Sequence, residues 1–440
     1  MPRRIDDLAD EVLAASDTGL PRRAAGLTVR DFLATEPRLE EFWTPITVLD
    51  GAALRRNADT IQGWATAHGM ELMPHGKTTM APALWRLQLD AGATGLTLAT
   101  PGQVRTARSF GISAIMLANA LVAPDTLAFI AGELDDPAFV FACWVDSLDT
   151  VEAMERGLAA SGITLPRPID VLVELGAPGG RTGARSLDAA EAVARRVAAS
   201  PVLRLAGVAG YEGSLGHDRS ARALGAVRDY LADLVELHRA VQRIGAAGDA
   251  GATRADGLIV SAGGSAYLDV VADAFGPAIE ADAAAGRRTR WILRSGASLL
   301  HDDGFYHGIS PLDAGRATHG RPALASAMRA YARVVSHPEP GLALLDGGKR
   351  DFPYDEGLPV PFGVAPSLGA EEEPLAGASV TAVNDQHAFL RSDAALPVDV
   401  GDVVSLGLSH PCTAFDKRRW LPVVDHAGST SVVDLVRTFF

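Results

Sequence analysis

Only two cysteines, Cys143 and Cys412, occur in 440 residues, so no disulfide framework holds this chain and a reducing compartment suits it. No apolar stretch is long enough to cross a bilayer. Nor does any N-terminal run join a basic segment to an apolar one and a small-residue cleavage site, and a cytoplasmic location is expected. Positive charge is also scarce: Lys and Arg total 40 against 54 Asp and Glu, a formal net charge of -14. Nucleic acid and anionic membrane both need a basic surface, so neither is expected as a partner and a small-molecule client is. What the chain does have is apolar material, 48% of residues against 21% charged, enough for a large core. Its length argues for more than one folded unit.

Residues 1–40 mix helical apolar spacing with Pro and charge and read as a helical preface. From "TPITVLDGAALRRNADTIQGWATAHG" the pattern becomes short apolar run, turn, amphipathic helix, repeated. The runs "ELMPHG", "GLTLATP", "AIMLANALV", "AFVFACWVDS", "IDVLVELG", "LAGVAGYEG", "GLIVSAGG" and "RWILRSGASLL" follow, each set apart by a helix or loop. Such alternation means parallel strands joined by crossover helices, and the number of runs suits a closed α/β barrel over residues 41–310. Beyond residue 310 the runs "RPALASAMRAYARVVSHP", "GLALLDGG", "ASVTAVNDQHAFLRS" and "GDVVSLGLSHPC" read as strands with turns between them. Residues 311–440 are therefore expected to form a mainly β domain, with the acidic "PSLGAEEEPLAGA" as a surface loop.

A barrel of this kind carries its chemistry at the C-terminal ends of its strands. Lys77 follows the run "ELMPHG" at such an end. A lone lysine there is ordinarily a solvated one, but a lysine in a partly apolar mouth can form a Schiff base with an aldehyde such as pyridoxal phosphate. Two Gly-rich strand ends downstream, "SAGGSAYLD" and "RSGASLL", supply a candidate phosphate cradle in which Gly263, Gly264 and Gly296 let backbone N–H groups come close. Ser265 and Ser298 stand beside them. Near the C-terminus, His410 and Cys412 lie two apart in "GLSHPC". On a strand they face the same way, and imidazole with thiolate suits zinc. Two ligands do not close a structural site, so a metal here keeps positions open. Cys143, inside the apolar run "AFVFACWVDS", reads as core.

"PHGKTTMAP" resembles the Schiff-base lysine motif of the alanine racemase-like (fold type III) pyridoxal phosphate enzymes, and "SHPCTAF" resembles the metal-binding motif of the D-serine dehydratase branch, whose relatives include D-threonine aldolases. "TLATPGQVRTARSFG", "LVELGAPGGRTG", "YEGSLGH", "SAGGSAY", "SGASLLHDDGFY" and "NDQHAFL" preserve the family's order from about residue 40 onward. The resemblance implies an alanine-racemase-type (β/α)8 barrel holding pyridoxal 5'-phosphate, a C-terminal mainly β domain holding Zn2+, and a homodimer. It makes Lys77 the cofactor lysine and proton acceptor. It places Arg181 by the pyridine ring, Tyr211 against the cofactor, His217 near the metal-bound substrate oxygen, and His410 and Cys412 on the metal. His387, Tyr306 and Asp302 are further candidates for the site's border. The aldolase relatives place a carboxylate where this chain has Cys412, which leans toward a dehydratase that converts a D-β-hydroxy amino acid to a 2-oxo acid and ammonia. Retro-aldol cleavage to glycine and an aldehyde is the alternative. A non-catalytic cofactor-binding protein is another, and a metal hydrolase would leave Lys77 and the Gly-rich cradles unexplained.

Overall fold

The structure, a computed structural model, describes residues 3–247, 253–254, 256–316 and 323–440. The chain divides into two compact units, one of Met1–Ile61, Thr78–Leu87 and Ala297–Phe440, the other of Gln62–Lys77 and Gln88–Gly296. Numbering strands along the chain, β1 (Ile46–Asp50) belongs to the first unit. The second holds β2 (Glu71–Leu72), β3 (Leu96–Leu98), β4 (Ala114–Ala120), β5 (Val140–Val145), β6 (Ile169–Leu175), β7 (Leu203–Gly210), β8 (Leu258–Ala262) and β9 (Thr289–Leu293). These coincide with the eight apolar runs from "ELMPHG" to "RWILRSGASLL". They pair in parallel in the order β2-β9-β8-β7-β6-β5-β4-β3, and a parallel bridge from His75 to Thr97 joins the two ends of the row. The second unit is therefore a closed eight-stranded barrel.

Local chemistry starts the crossover helices. Thr100, Ser147 and Ser186 stand just before the helices Pro101–Ser109, Leu148–Ser161 and Leu187–Ala198, and each side chain accepts a hydrogen bond from the N–H three residues on. Each satisfies a donor that a helix's first turn otherwise leaves orphaned. Inside the barrel, Met73, Met116, Trp144, Leu172, Ile259 and Ile292 interleave with Ala142, Ala206 and Ala209. Large and small side chains alternate to fill the interior, each large one contributing roughly 1.5–3 kcal/mol on burial. Cys143 is wholly buried, which pushes its thiol pKa up. It is core, as the run around it suggests.

The first unit adds β10 (Met328–Glu339), β11 (Leu342–Leu345), β12 (Val360–Ala365), β13 (Glu373–Pro374), β14 (Ser379–Val383), β15 (Ala388–Arg391), β16 (Val403–Gly407), β17 (Trp420–Val424) and β18 (Val432–Arg437). A mainly antiparallel sheet results. Here β1 pairs antiparallel with β10, Ile46 opposite Tyr331, and parallel with β17. The run "TPITVLD" thus departs from the expectation that the barrel begins at residue 41. A strand followed by an amphipathic helix looks the same locally wherever its partner lies, and this one's partners lie far down the chain. The preface does carry short helical turns, from Ile5–Asp10 to Leu39–Glu41, and it forms no domain of its own: Leu13, Leu20, Val29, Phe32 and Leu39 share one core with Ile46, Val48, Val403, Trp420 and Leu435. Within the expected acidic loop, β13 pairs with β12. Arg321 and Pro322, which open the run "RPALASAMRAYARVVSHP", lie outside the described residues. Among the described residues no helix is long and apolar enough to cross a membrane.

One glycine in the barrel wall is fixed by both conformation and space. Gly207 in β7 has φ +144°, and a Cβ there would stand 1.9 Å from the carbonyl oxygen of Ile259 on β8. Backbone, not a flexible side chain, fills that place. Gly207→Ala should lower stability by about 3 kcal/mol or more, read as a large drop in melting temperature or as loss of soluble protein.

Candidate active site

The C-terminal ends of the barrel strands collect charge. β2 runs into Pro74, His75, Gly76 and Lys77, with Lys77 in a single 3-10 turn and partly exposed. The strand end is pinned on both sides: His75 N–H donates to Arg294 O at 3.2 Å and Thr97 N–H donates to Pro74 O at 2.9 Å. A Cβ on Gly296 would stand 2.6 Å from His75 O, so this approach requires glycine. Burial, and then the charges of Lys77, Arg294 and Arg181, hold the His75 imidazole well below its usual pKa. Three cations thus surround a neutral histidine. Its Nδ1 is buried with no hydrogen-bond partner among the described residues.

Arg181 comes from the loop after β6. The Arg185 guanidinium donates to the carbonyls of Ala177, Gly180, Arg181 and Thr182 at 2.9–3.2 Å and gathers that loop from within. Thr182 Oγ1 donates to Glu174 Oε1 at 2.9 Å. So held, Arg181 stands 5.2 Å over the Tyr211 ring. Tyr211 N–H donates to Tyr230 Oη, which donates in turn to Leu175 O at 2.6 Å and ties β6 to β7. Arg294, only 2% exposed, donates to Ser261 Oγ at 2.9 Å and Gly210 O at 2.6 Å and lies 4.8 Å over Trp144. Burial lowers its pKa, opposed chiefly by Glu212 and then by Tyr230 and Glu174.

The Gly-rich turn after β8 differs from expectation. Gly263 N–H donates to Glu212 Oε2 at 2.9 Å and Gly264 N–H to Glu212 Oε1 at 2.7 Å. Those two amides, read from sequence as phosphate donors, are already held by a carboxylate. Space at the second position is close, since a Cβ on Gly264 would stand 3.0 Å from the Tyr211 ring. Ser265 Oγ and Ser295 Oγ form a buried pair at 2.8 Å and bring hydroxyls to two adjacent strand ends. Burial without partners of His75 Nδ1, Arg294 Nε and Trp144 Nε1, three clustered cations and this serine pair fit a group that is both planar and anionic. Pyridoxal phosphate is such a group.

Sequence reading overlooked Glu212, Arg294, Glu174 and His75. All stand at or beside strand ends, and that position was the available signal. His217 is exposed on the loop after β7 and influences the charge of Asp218. Among the described contacts nothing brings it to Lys77. His387 is exposed in the turn between β14 and β15. Ser298 is buried in the 3-10 turn Ala297–Leu299 of the first unit.

His410 and Cys412 are also in the first unit, but not on a strand. β16 ends at Gly407, His410 is extended just before the short helix Pro411–Phe415, and Cys412 lies in that helix's first turn. The i, i+2 strand alternation expected for the pair is therefore replaced by a strand-to-helix corner. His410 Nδ1 meets Asp355 Oδ2 at 2.6 Å, and Thr413 Oγ1 donates to Asp355 Oδ1 at 2.8 Å. Burial opposes charge on His410, but the hydrogen bond and charge of Cys412, and then Asp355, outweigh it and lift the imidazole to about 9. The thiol donates to Thr78 Oγ1 at 3.5 Å. Among the described residues no group of three or more His, Cys, Asp and Glu is disposed around a metal.

Residues 49–268 match the family described as "Alanine racemase, N-terminal domain", and residues 327–424 match "Putative serine dehydratase domain". D-threonine aldolase of Arthrobacter sp is 30% identical over 382 residues, 87% of this chain and 89% of that protein. The chain belongs to the D-serine dehydratase and D-threonine aldolase family of alanine racemase-like, fold type III pyridoxal phosphate enzymes. Its fold agrees with D-threonine aldolase from Filomicrobium marinum, TM-score 0.71 at 23% identity, covering 97% of this chain and 98% of that one. D-threo-3-hydroxyaspartate dehydratase from Delftia sp. HT23 gives TM-score 0.67 at 20% identity, covering 91% of this chain and 99% of that one. Variants of D-threo-3-hydroxyaspartate dehydratase have also been solved with a histidine replaced by alanine and, in a metal-free form, with a cysteine two positions further replaced.

Asp302 is a helix cap. Its Oδ1 accepts from Gly304 N–H at 3.0 Å and Tyr306 N–H at 2.7 Å at the start of the helix Phe305–Ile309. Burial, against those hydrogen bonds and with the nearby charge of Asp303, raises its carboxyl to about 7. The folded pKa lies above the unfolded one, so stability is full below pH about 4 and falls as pH rises toward 7. Asp302→Asn keeps an oxygen for both N–H groups and carries no charge. It should raise stability at pH 8 by on the order of 1 kcal/mol and change little at pH 4, as thermal melts at the two pH values would show.

Proposed function

We propose that this protein is a lyase that uses pyridoxal phosphate and a divalent metal, zinc in the first instance, to dehydrate a D-β-hydroxy amino acid to a 2-oxo acid and ammonia. For D-serine the products are pyruvate and ammonium. The observation that carries the reading is the His410–Cys412 pair, buttressed at His410 Nδ1 by Asp355, in a chain whose barrel also bears Lys77 among cations. The solved dehydratase variants support it, because their substituted histidine and cysteine have the same spacing.

Lys77 Nζ holds the cofactor and takes the α-proton of the D-substrate. Arg181, set by Arg185 and the Tyr211 ring, would face the pyridine ring of a bound cofactor and offer its nitrogen a hydrogen-bond donor with no acceptor. Pyridoxal phosphate, when bound, supplies an electron sink for the pair left at Cα. A metal held by His410 and Cys412 supplies Lewis acidity toward the β-oxygen, since hydroxide is a poor leaving group. Asp355 orients the imidazole and leaves its other nitrogen to the ion. Thr78, the residue after Lys77 in the chain, contacts the thiol. The second reading is retro-aldol cleavage, favoured by the 30% identity to a D-threonine aldolase. Products separate the two: ammonia and 2-oxo acid against glycine and aldehyde.

Lys77→Ala should remove the visible absorbance band that borohydride abolishes in the wild type, together with all turnover, while melting stays cooperative. Elimination near the wild-type rate in that variant would refute the assignment. Chelation, or Cys412→Ala, should lower D-serine turnover by about a hundredfold or more while β-chloro-D-alanine, with its better leaving group, keeps substantial activity. Equal loss on both substrates would make the metal structural instead.

A further inference from the structure

Glu212 is wholly buried, and both of its oxygens are engaged by successive amides of one turn: Oε2 by Gly263 N–H and Oε1 by Gly264 N–H. A buried carboxylate beside a turn meant for an anion calls for a reason, since two negative groups repel at short range. The turn supplies one. Gly263 has φ +94°, a left-handed conformation that favours glycine, and a Cβ there would stand 2.2 Å from the Leu293 Cδ1 methyl of β9. With no side chain to brace it, such a turn is held by its hydrogen bonds alone.

The next residue is Ser265, whose hydroxyl meets Ser295 Oγ at 2.8 Å and so couples the turn after β8 to the turn after β9. The long helix Leu268–Ala284 begins directly beyond, with the positive end of its dipole toward this turn. Arg294 supplies the counter-charge, and Glu212 is the leading influence raising its pKa. The carboxylate therefore adds no uncompensated negative charge.

We infer that Glu212 is a positioning residue for the cofactor's phosphate. It takes up the Gly263 and Gly264 amides, fixes the turn, and leaves Ser265 and Ser295, with the helix start behind them, as the phosphate donors. This rests on the pyridoxal phosphate reading above. Glu212→Gln keeps the shape but offers an NH2 group to one of two N–H donors, so one hydrogen bond becomes a repulsive contact.

The test titrates full-length protein, freed of cofactor with hydroxylamine, with pyridoxal phosphate and separately with pyridoxal, which lacks the phosphate. Binding is read by the borohydride-sensitive absorbance. Glu212→Gln should raise the Kd for pyridoxal phosphate at least about tenfold and leave that for pyridoxal within about twofold. Ser265→Ala should show the same phosphate-selective loss. Equal weakening toward both ligands would mean Glu212 only supports the fold, and no weakening toward either would also overturn the inference. Should Glu212→Gln not fold, Glu212→Asp, whose shorter carboxylate reaches one amide, decides by the same criterion. A wild-type protein that binds neither ligand would instead defeat the cofactor reading itself.

Discussion

A guanidinium buried at the end of the barrel is the constraint on which its chemistry turns. Arg294 is almost wholly enclosed and donates to a β8 hydroxyl and a β7 carbonyl. An unpaired cation in such a place is destabilising by several kcal/mol. Glu212 and Glu174 oppose that penalty, and each is then committed elsewhere: Glu212 to the Gly263–Gly264 turn, Glu174 to Thr182 on the loop that bears Arg181. One buried charge thus sets two carboxylates, and the carboxylates set two loops. Arg181 lies on the loop that Glu174 holds through Thr182, and Ser265 follows the turn that Glu212 holds.

Much of this is legible in the order of the residues alone. The eight strands of the barrel are buried on both faces, and continuous apolar runs with turn residues between them are the sequence mark of that environment. Lys77 and the Gly-rich turns stand out because strand ends are where such barrels react, while Arg181 and Tyr211 stand out through the family resemblance of the motifs around them. What escapes are residues whose roles depend on partners distant in sequence. Nothing near Glu212 in "GYEGS" announces that its carboxylate closes on amides fifty residues later. β1 misleads for the same reason, its partner β10 lying beyond the barrel. The departure at His410 and Cys412 is local instead: β16 has already ended at Gly407, and the fixed φ of Pro411 starts a helical turn.

The corner that presents His410 and Cys412 has a chemical logic of its own. An extended residue followed by a helical turn brings two side chains together from different backbone geometries, and Asp355 with Thr413 fixes the imidazole from behind. At that corner Asp355 meets His410 Nδ1 and Thr78 meets the Cys412 thiol, so each side chain has a partner that orients it.

The pairing of β1 also governs how the chain comes to be made. Its neighbours β10 and β17 leave the ribosome only after the barrel strands have been synthesised. At roughly 5–20 residues per second, the apolar strand Ile46–Asp50 waits unpaired for tens of seconds. The barrel strands β4 to β9 each pair with the strand made just before, and only β2 waits for β9, but the first unit is assembled from segments far apart in the chain. A chain stopped before Met328 would therefore leave the apolar strand Ile46–Asp50 with neither partner and its edge bare.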